Sequence, residues 1–90
     1  MYPYSAKLEV SNSDSKPHVV AVEPWAPDYT LLPGEELQVI AFGNTSVPWF
    51  HVVEWNGTSQ VFCNEAADFK VLQNGVELQC GQNRQVEGTA

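Results

Sequence analysis

The stretch VPWFHVVEWNGTSQVFC, residues 47–63, reads as two short strands joined at Asn56-Gly57. Both turn positions tolerate a positive φ, so the dipeptide favours a two-residue type I′ hairpin turn. A turn of that kind fixes the register. Trp55 falls opposite Thr58, Val53 opposite Gln60, Val52 opposite Val61, His51 opposite Phe62, and Phe50 opposite Cys63. Successive side chains on a strand point to opposite faces. One face therefore holds Phe50, Val52, Val61 and Cys63, with Glu54 and Ser59 near the turn; the other holds Trp49, His51, Val53, Trp55, Gln60 and Phe62. His51 and Cys63 point to opposite sides in this register and cannot share a metal ion.

The same pattern runs through the rest of the chain. Short alternating runs separated by turn residues replace any sustained helical period, which marks an all-β domain. AKLEV places Ala6, Leu8 and Val10 on one side, and ELQVIAF does the same with Leu37, Val39 and Ala41. HVVAVE is a strand closed by Pro24, since proline cannot donate to a ladder. A short strand is expected at Tyr29–Leu32, followed by a tight turn at Pro33-Gly34. Asn74-Gly75 repeats the hairpin chemistry and sets Gln73 opposite Val76, Val71 opposite Leu78, and Phe69 opposite Cys80. Phe69, Val71, Val76, Leu78 and Cys80 then form an apolar face, while Lys70, Leu72, Glu77 and Gln79 form a mostly polar one. The expected architecture is a single small antiparallel sandwich of about six to eight short strands over residues 1–80. Residues 81–90 have little to bury and are expected to form a flexible tail.

Composition narrows the function classes. The 90 residues are 43% hydrophobic and 17% charged, the balance of a globular domain with a small core. The formal net charge is −7, from 11 acids and four bases distributed evenly along the chain. So few bases cannot neutralise a run of phosphates, which argues against direct nucleic-acid binding and against docking on an anionic membrane. The longest apolar runs are VVAV and VIAF, too short to span a bilayer. MYPYSAKLEV has neither a basic n-region nor an apolar h-region, so a cytoplasmic chain is expected. The sequons at Asn44 and Asn56 then read as turn sequences rather than glycosylation sites.

Few chemistries find their residues here. A blue-copper site needs two His, a Cys and usually a Met clustered late in the chain; here both histidines precede both cysteines and the only Met is Met1. There is no paired Cys or His at zinc-ligand spacing, no Gly-rich phosphate loop and no G-x-S-x-G or Cys-His signature. No metal or cofactor is therefore expected, and no catalytic residue is assigned. A glycosidase-like pair involving Glu54 or Glu23 has little room for a cleft in so short a chain. His18, after Pro17 at a strand start, is expected to be exposed. Cys63 and Cys80 both fall on core faces, as buried free thiols or, if the hairpins pack together, as a disulfide.

The aromatic face of Trp49, His51, Trp55 and Phe62 is the candidate contact surface. It either packs beneath a loop, a second sheet or another copy of the chain, or it binds a ligand or a protein. Trp25, held between Pro24 and Pro27 in a link expected to be extended, is placed as a structural plug over an open end of the sandwich.

Residues 12–43 carry a strand, Glu23-Pro24-Trp25, a short polar link, Tyr29-Thr30-Leu31, and Pro33-Gly34-Glu35 before a strand ending in Ala or Gly. In this third of the chain the sequence resembles a group of short bacterial β-sandwich proteins of unknown function. The resemblance implies a cupredoxin-like or immunoglobulin-like fold without metal, and it brings no activity with it. The expected function is a non-enzymatic binding or accessory module with a protein partner or a second copy. The alternative is an acidic inhibitor or immunity-type protein that engages a basic partner.

Overall fold

The computed structural model describes residues 1–79. Cys80 and the tail at 81–90 lie outside the described residues. Eight strands form two four-stranded sheets. They are β1 (Tyr4–Ser11), β2 (His18–Glu23), β3 (Asp28–Leu31), β4 (Glu36–Gly43), β5 (Trp49–Trp55), β6 (Thr58–Asn64), β7 (Asp68–Gln73) and β8 (Val76–Glu77). One sheet has the order β1-β4-β7-β8 and the other β3-β2-β6-β5, and the two face each other as a small β-sandwich.

The turn chemistry is realised where the sequence places it. Asn56 and Gly57 have φ of 53° and 80°, and Asn74 and Gly75 have 54° and 79°, the signs a type I′ turn requires. Gly34 has φ of 85°, and Glu35 N donates to Leu32 O at 3.0 Å, a Pro-Gly type II turn. The β5–β6 register matches the hairpin arithmetic at every position, from Trp55↔Thr58 to Phe50↔Cys63. Gly43 ends β4 where a Cβ would press into the Ser46 carbonyl oxygen and lie 3.0 Å from that of Glu65. This close approach leads the chain through Pro48 into β5.

The core lies between the sheets. Val20, Val22, Tyr29, Leu31, Val61 and Cys63 come from one sheet, and Leu37, Val39, Ala41 and Val71 from the other. Leu8, Val10, Phe50, Phe69 and Trp25 pack on its margins. Trp25 leaves the end of β2 and stacks on Phe69 of β7 in the opposite sheet, with ring centroids 4.6 Å apart and planes inclined at 26°. It thus spans the gap between the layers at one end of the sandwich. The link around it is tight rather than extended. Ala26 N donates to Val22 O at 2.7 Å, Val22 N donates to Pro27 O at 3.0 Å, and Ala26 has φ of 73°. The β2–β3 hairpin continues through these bonds, which folds Trp25 back over the core.

Two departures from expectation have physical reasons. The sandwich is not wholly antiparallel: β2 and β6 run parallel, with Val20 beside Ser59 and Val22 beside Val61. Each of these strands has its own hairpin partner, β3 and β5, and the chain crosses to the other sheet between the hairpins. Such a crossover permits parallel neighbours. In the second hairpin Val76 is 65% exposed instead of joining an apolar face. Strand β8 is only two residues long and lies at the sheet edge, so the other sheet does not cover it.

Candidate functional site

The outer face of the second sheet is built by the β5–β6 hairpin. Trp49, His51, Val53 and Trp55 project outward from β5, beside Gln60, Phe62 and Asn64 of β6. The inner parity of β6 is spent on Ser59, Val61 and Cys63, all buried. The aromatic side chains are therefore not core. Trp49 is 55% exposed and Trp55 73%. His51 is exposed, and only Phe62 is partly covered. The opposite sheet packs on the other side, so neither it nor any described loop closes this face.

Four of these residues, Trp49, His51, Val53 and Phe62, line a shallow recess of about 400 Å³ together with Asn64. The His51 and Phe62 rings, both part of its lining, lie 6.1 Å apart and are tilted by 44°. Trp55 shares the face but stands at the turn, outside the recess. The recess is apolar with two polar edges, His51 and Asn64. It offers contact area and a few hydrogen bonds, and no pair of groups arranged for proton transfer.

A second constellation went unread in the sequence. His18 Nε2 lies 2.7 Å from Ser59 Oγ, and Ser59 Oγ donates to Glu54 Oε2 at 3.2 Å. A hydroxyl has one proton to give, so His18 Nε2 carries a proton of its own and donates to Ser59. His18 is half-buried rather than exposed, because it shares the inward parity of Val20 and Val22. It closes the end of the sandwich opposite Trp25. The neighbouring recess of about 370 Å³ is lined by Ser11, Asn12, Ser13, Asp14, His18 and Glu54.

These three residues resemble hydrolase machinery only in composition. In a triad the histidine stands between the serine and the carboxylate. Here the serine stands in the middle, and Ser59 is fully buried, so no substrate atom reaches its oxygen. The chain of bonds satisfies a buried hydroxyl at a sheet end. The sequence signal that could have found it is two polar residues, Glu54 and Ser59, facing each other on an otherwise apolar parity. His18 could not be added without knowing that β2 lies beside β6.

Asn12 is the other buried polar residue. Its Nδ2 donates to Lys16 O at 2.8 Å and Leu31 O at 2.9 Å, and its Oδ1 accepts from Asp14 N at 2.9 Å. These bonds tie the β1–β2 loop to itself and to the end of β3, which accounts for the burial of Asn12. Cys63 carries a free thiol, 6% exposed, and burial pushes its pKa up to about 11. A thiol held protonated in this way is a packing group rather than a nucleophile. Among the described residues no three His, Cys, Asp or Glu side chains are grouped to hold a metal ion. No described helix is long and apolar enough to cross a membrane. No family model, curated protein or solved structure matches the chain.

Proposed function

We propose that this protein is a non-enzymatic binding module and that the outer face of the β5–β6 hairpin is its contact surface. The observation that carries the reading is the exposure of Trp49, Val53 and Trp55 side by side on one strand, at 55%, 39% and 73%. Large apolar side chains gathered on a soluble surface are the ordinary mark of an interaction site, and tryptophan is enriched there. The face adds His51 and Asn64 as polar edges around a shallow recess, the form of a protein contact rather than of an enclosing ligand pocket.

An acidic inhibitor engaging a basic partner finds less support. The outer face of the first sheet intersperses Lys7 and Lys70 among Glu9, Glu36, Asp68 and Glu77, so its acids do not form an unbroken negative patch. The test is a photo-crosslinking amino acid placed at Val53 or, as control, at Lys7 on the opposite sheet, in living cells. Adducts formed from position 53 alone support the contact face. Equal adducts from both positions, or none, refute it.

A further inference from the structure

Strand β5 is the last strand of its sheet, so its far edge pairs with nothing among the described residues. Open edges invite pairing with another chain, and proteins ordinarily blunt them with shortness, charge or proline. The other three edges obey this rule. β3 has four residues, β8 has two, and β1 carries Lys7 and Glu9 on its outward face. β5 has seven residues, WFHVVEW, without proline, lysine or arginine and with Glu54 as its one carboxylate. Besides the outward face, Val52 on the inward parity is 39% exposed, so β5 overhangs the opposite sheet.

The free backbone groups on this edge can be assigned. A two-residue type I′ turn makes its flanking residues, Trp55 and Thr58, a hydrogen-bonded pair. Antiparallel ladders alternate, so Val53, His51 and Trp49 also turn their N–H and C=O groups toward β6. Phe50, Val52 and Glu54 turn theirs outward, to the open edge.

We propose that this edge pairs with β5 of a second copy, antiparallel and in a register centred on Val52. The proposal rests on the contact-face reading, because the tryptophans of that face flank the paired edge. Centring on Val52 uses all three outward-facing residues: Val52 pairs with the second copy's Val52, and Phe50 with the second copy's Glu54. Roughly six backbone hydrogen bonds form. The intervening pairs are His51 with Val53 and, at both ends, Trp49 with Trp55. These fall at non-hydrogen-bonded positions, where side chains approach most closely and aromatic pairs contribute most.

The strand is self-complementary because it carries a tryptophan at each end and valine at its centre. An isologous two-fold contact requires this property. Neither Glu54 carboxylate meets its own copy, since each faces a phenylalanine. Edge pairing brings together the flanks of these side chains and leaves most of the outward face open, so the buried area lies below the roughly 1,200 Å² of a standard interface, in the range of a weak, concentration-dependent dimer. Each copy has a net charge of −7, so salt should tighten the pairing by screening the repulsion between copies.

The register is tested with Val52→Cys and, separately, Trp49→Cys, each in a full-length Cys80→Ser chain under mild oxidation. The proposal expects a covalent dimer from Val52→Cys, since paired residues lie within disulfide reach. Trp49→Cys should give none, because position 49 meets position 55 and not itself. Sedimentation of the otherwise natural chain should show a dimer that strengthens with salt. Val52→Lys should raise its dissociation constant about tenfold while circular dichroism keeps the sheet signal.

Equal crosslinking from both positions overturns the register. A natural chain that stays monomeric to 500 μM, taken as roughly the highest practical concentration, overturns the pairing. If the chain is monomeric but position 53 still gives adducts with other proteins, the contact face stands and self-pairing falls. If both fail, both readings fall.

Discussion

Trp25→Ala removes the side chain that bridges the two sheets. A fully buried tryptophan costs about 3–5 kcal/mol on truncation. Trp25 is only half-buried, so its burial contributes about 2 kcal/mol. The stack on Phe69, at 4.6 Å, adds about 1 kcal/mol. The expected loss is about 2–3 kcal/mol, or roughly 10–20 °C in Tm for a domain of this size. Urea unfolding followed by far-UV circular dichroism measures it without relying on the fluorescence of the altered residue.

Three further variants separate the two contributions. Trp25→Phe retains a ring over Phe69 and should lose about half as much. Phe69→Ala and the double variant complete a thermodynamic cycle, whose coupling should be about 0.5–1.5 kcal/mol. A loss below about 0.5 kcal/mol for Trp25→Ala, typical of an ordinary surface site, would refute the plug. A strictly additive cycle would show that the stack contributes nothing, and would leave burial alone to explain the loss.

Asn12→Ala strips partners from Lys16 O, Leu31 O and Asp14 N and should cost about 2–4 kcal/mol in urea titrations. A cost under about 1 kcal/mol would mean that water replaces the amide without penalty. Ser59→Ala breaks the chain from His18 to Glu54 at its buried middle and should cost about 1–3 kcal/mol, while Glu54→Gln, which keeps an acceptor, should cost less. Equal losses from the two would contradict the role given to Ser59.

The Cys63 thiol, raised from 9.0 to about 11, holds its proton in the folded state after the unfolded chain has released it. Its contribution is complete below pH 9. Stability then falls as pH climbs toward 11, by at most about 3 kcal/mol. Cys63→Ala should flatten that part of the pH profile, and an unchanged slope would show that the thiol is not the group responsible.

Much of this molecule was legible because its turns are short. Asn56-Gly57 leaves no freedom in the loop, so one dipeptide sets seven cross-strand pairs and the face of every residue on them. The same arithmetic separated His51 from Cys63 and placed Cys63 in the core. What stayed hidden depends on contacts between hairpins, where no turn transmits register. The parallel β2–β6 pair is one such contact, and the His18–Ser59 bond exists only because of it. Val76 was misplaced because alternation gives direction but not coverage; a side chain aimed at the core side is buried only where the opposite sheet extends that far. The aromatic side chains were placed on the correct side, but composition alone could not say that nothing covers them.

The order in which the strands enter the two sheets has a consequence for biosynthesis. The chain visits the first sheet with β1, the second with β2 and β3, the first again with β4, the second with β5 and β6, and the first last with β7 and β8. No contiguous half of the polypeptide can therefore complete either layer. On the ribosome, β2 must wait until β6 has emerged before its second neighbour exists, and β4 must wait for β7. Until β6 and β7 have emerged, the valine-rich strands lack the neighbours that complete their sheets. Pairings this distant in sequence are the kind that slow the folding of β-rich domains.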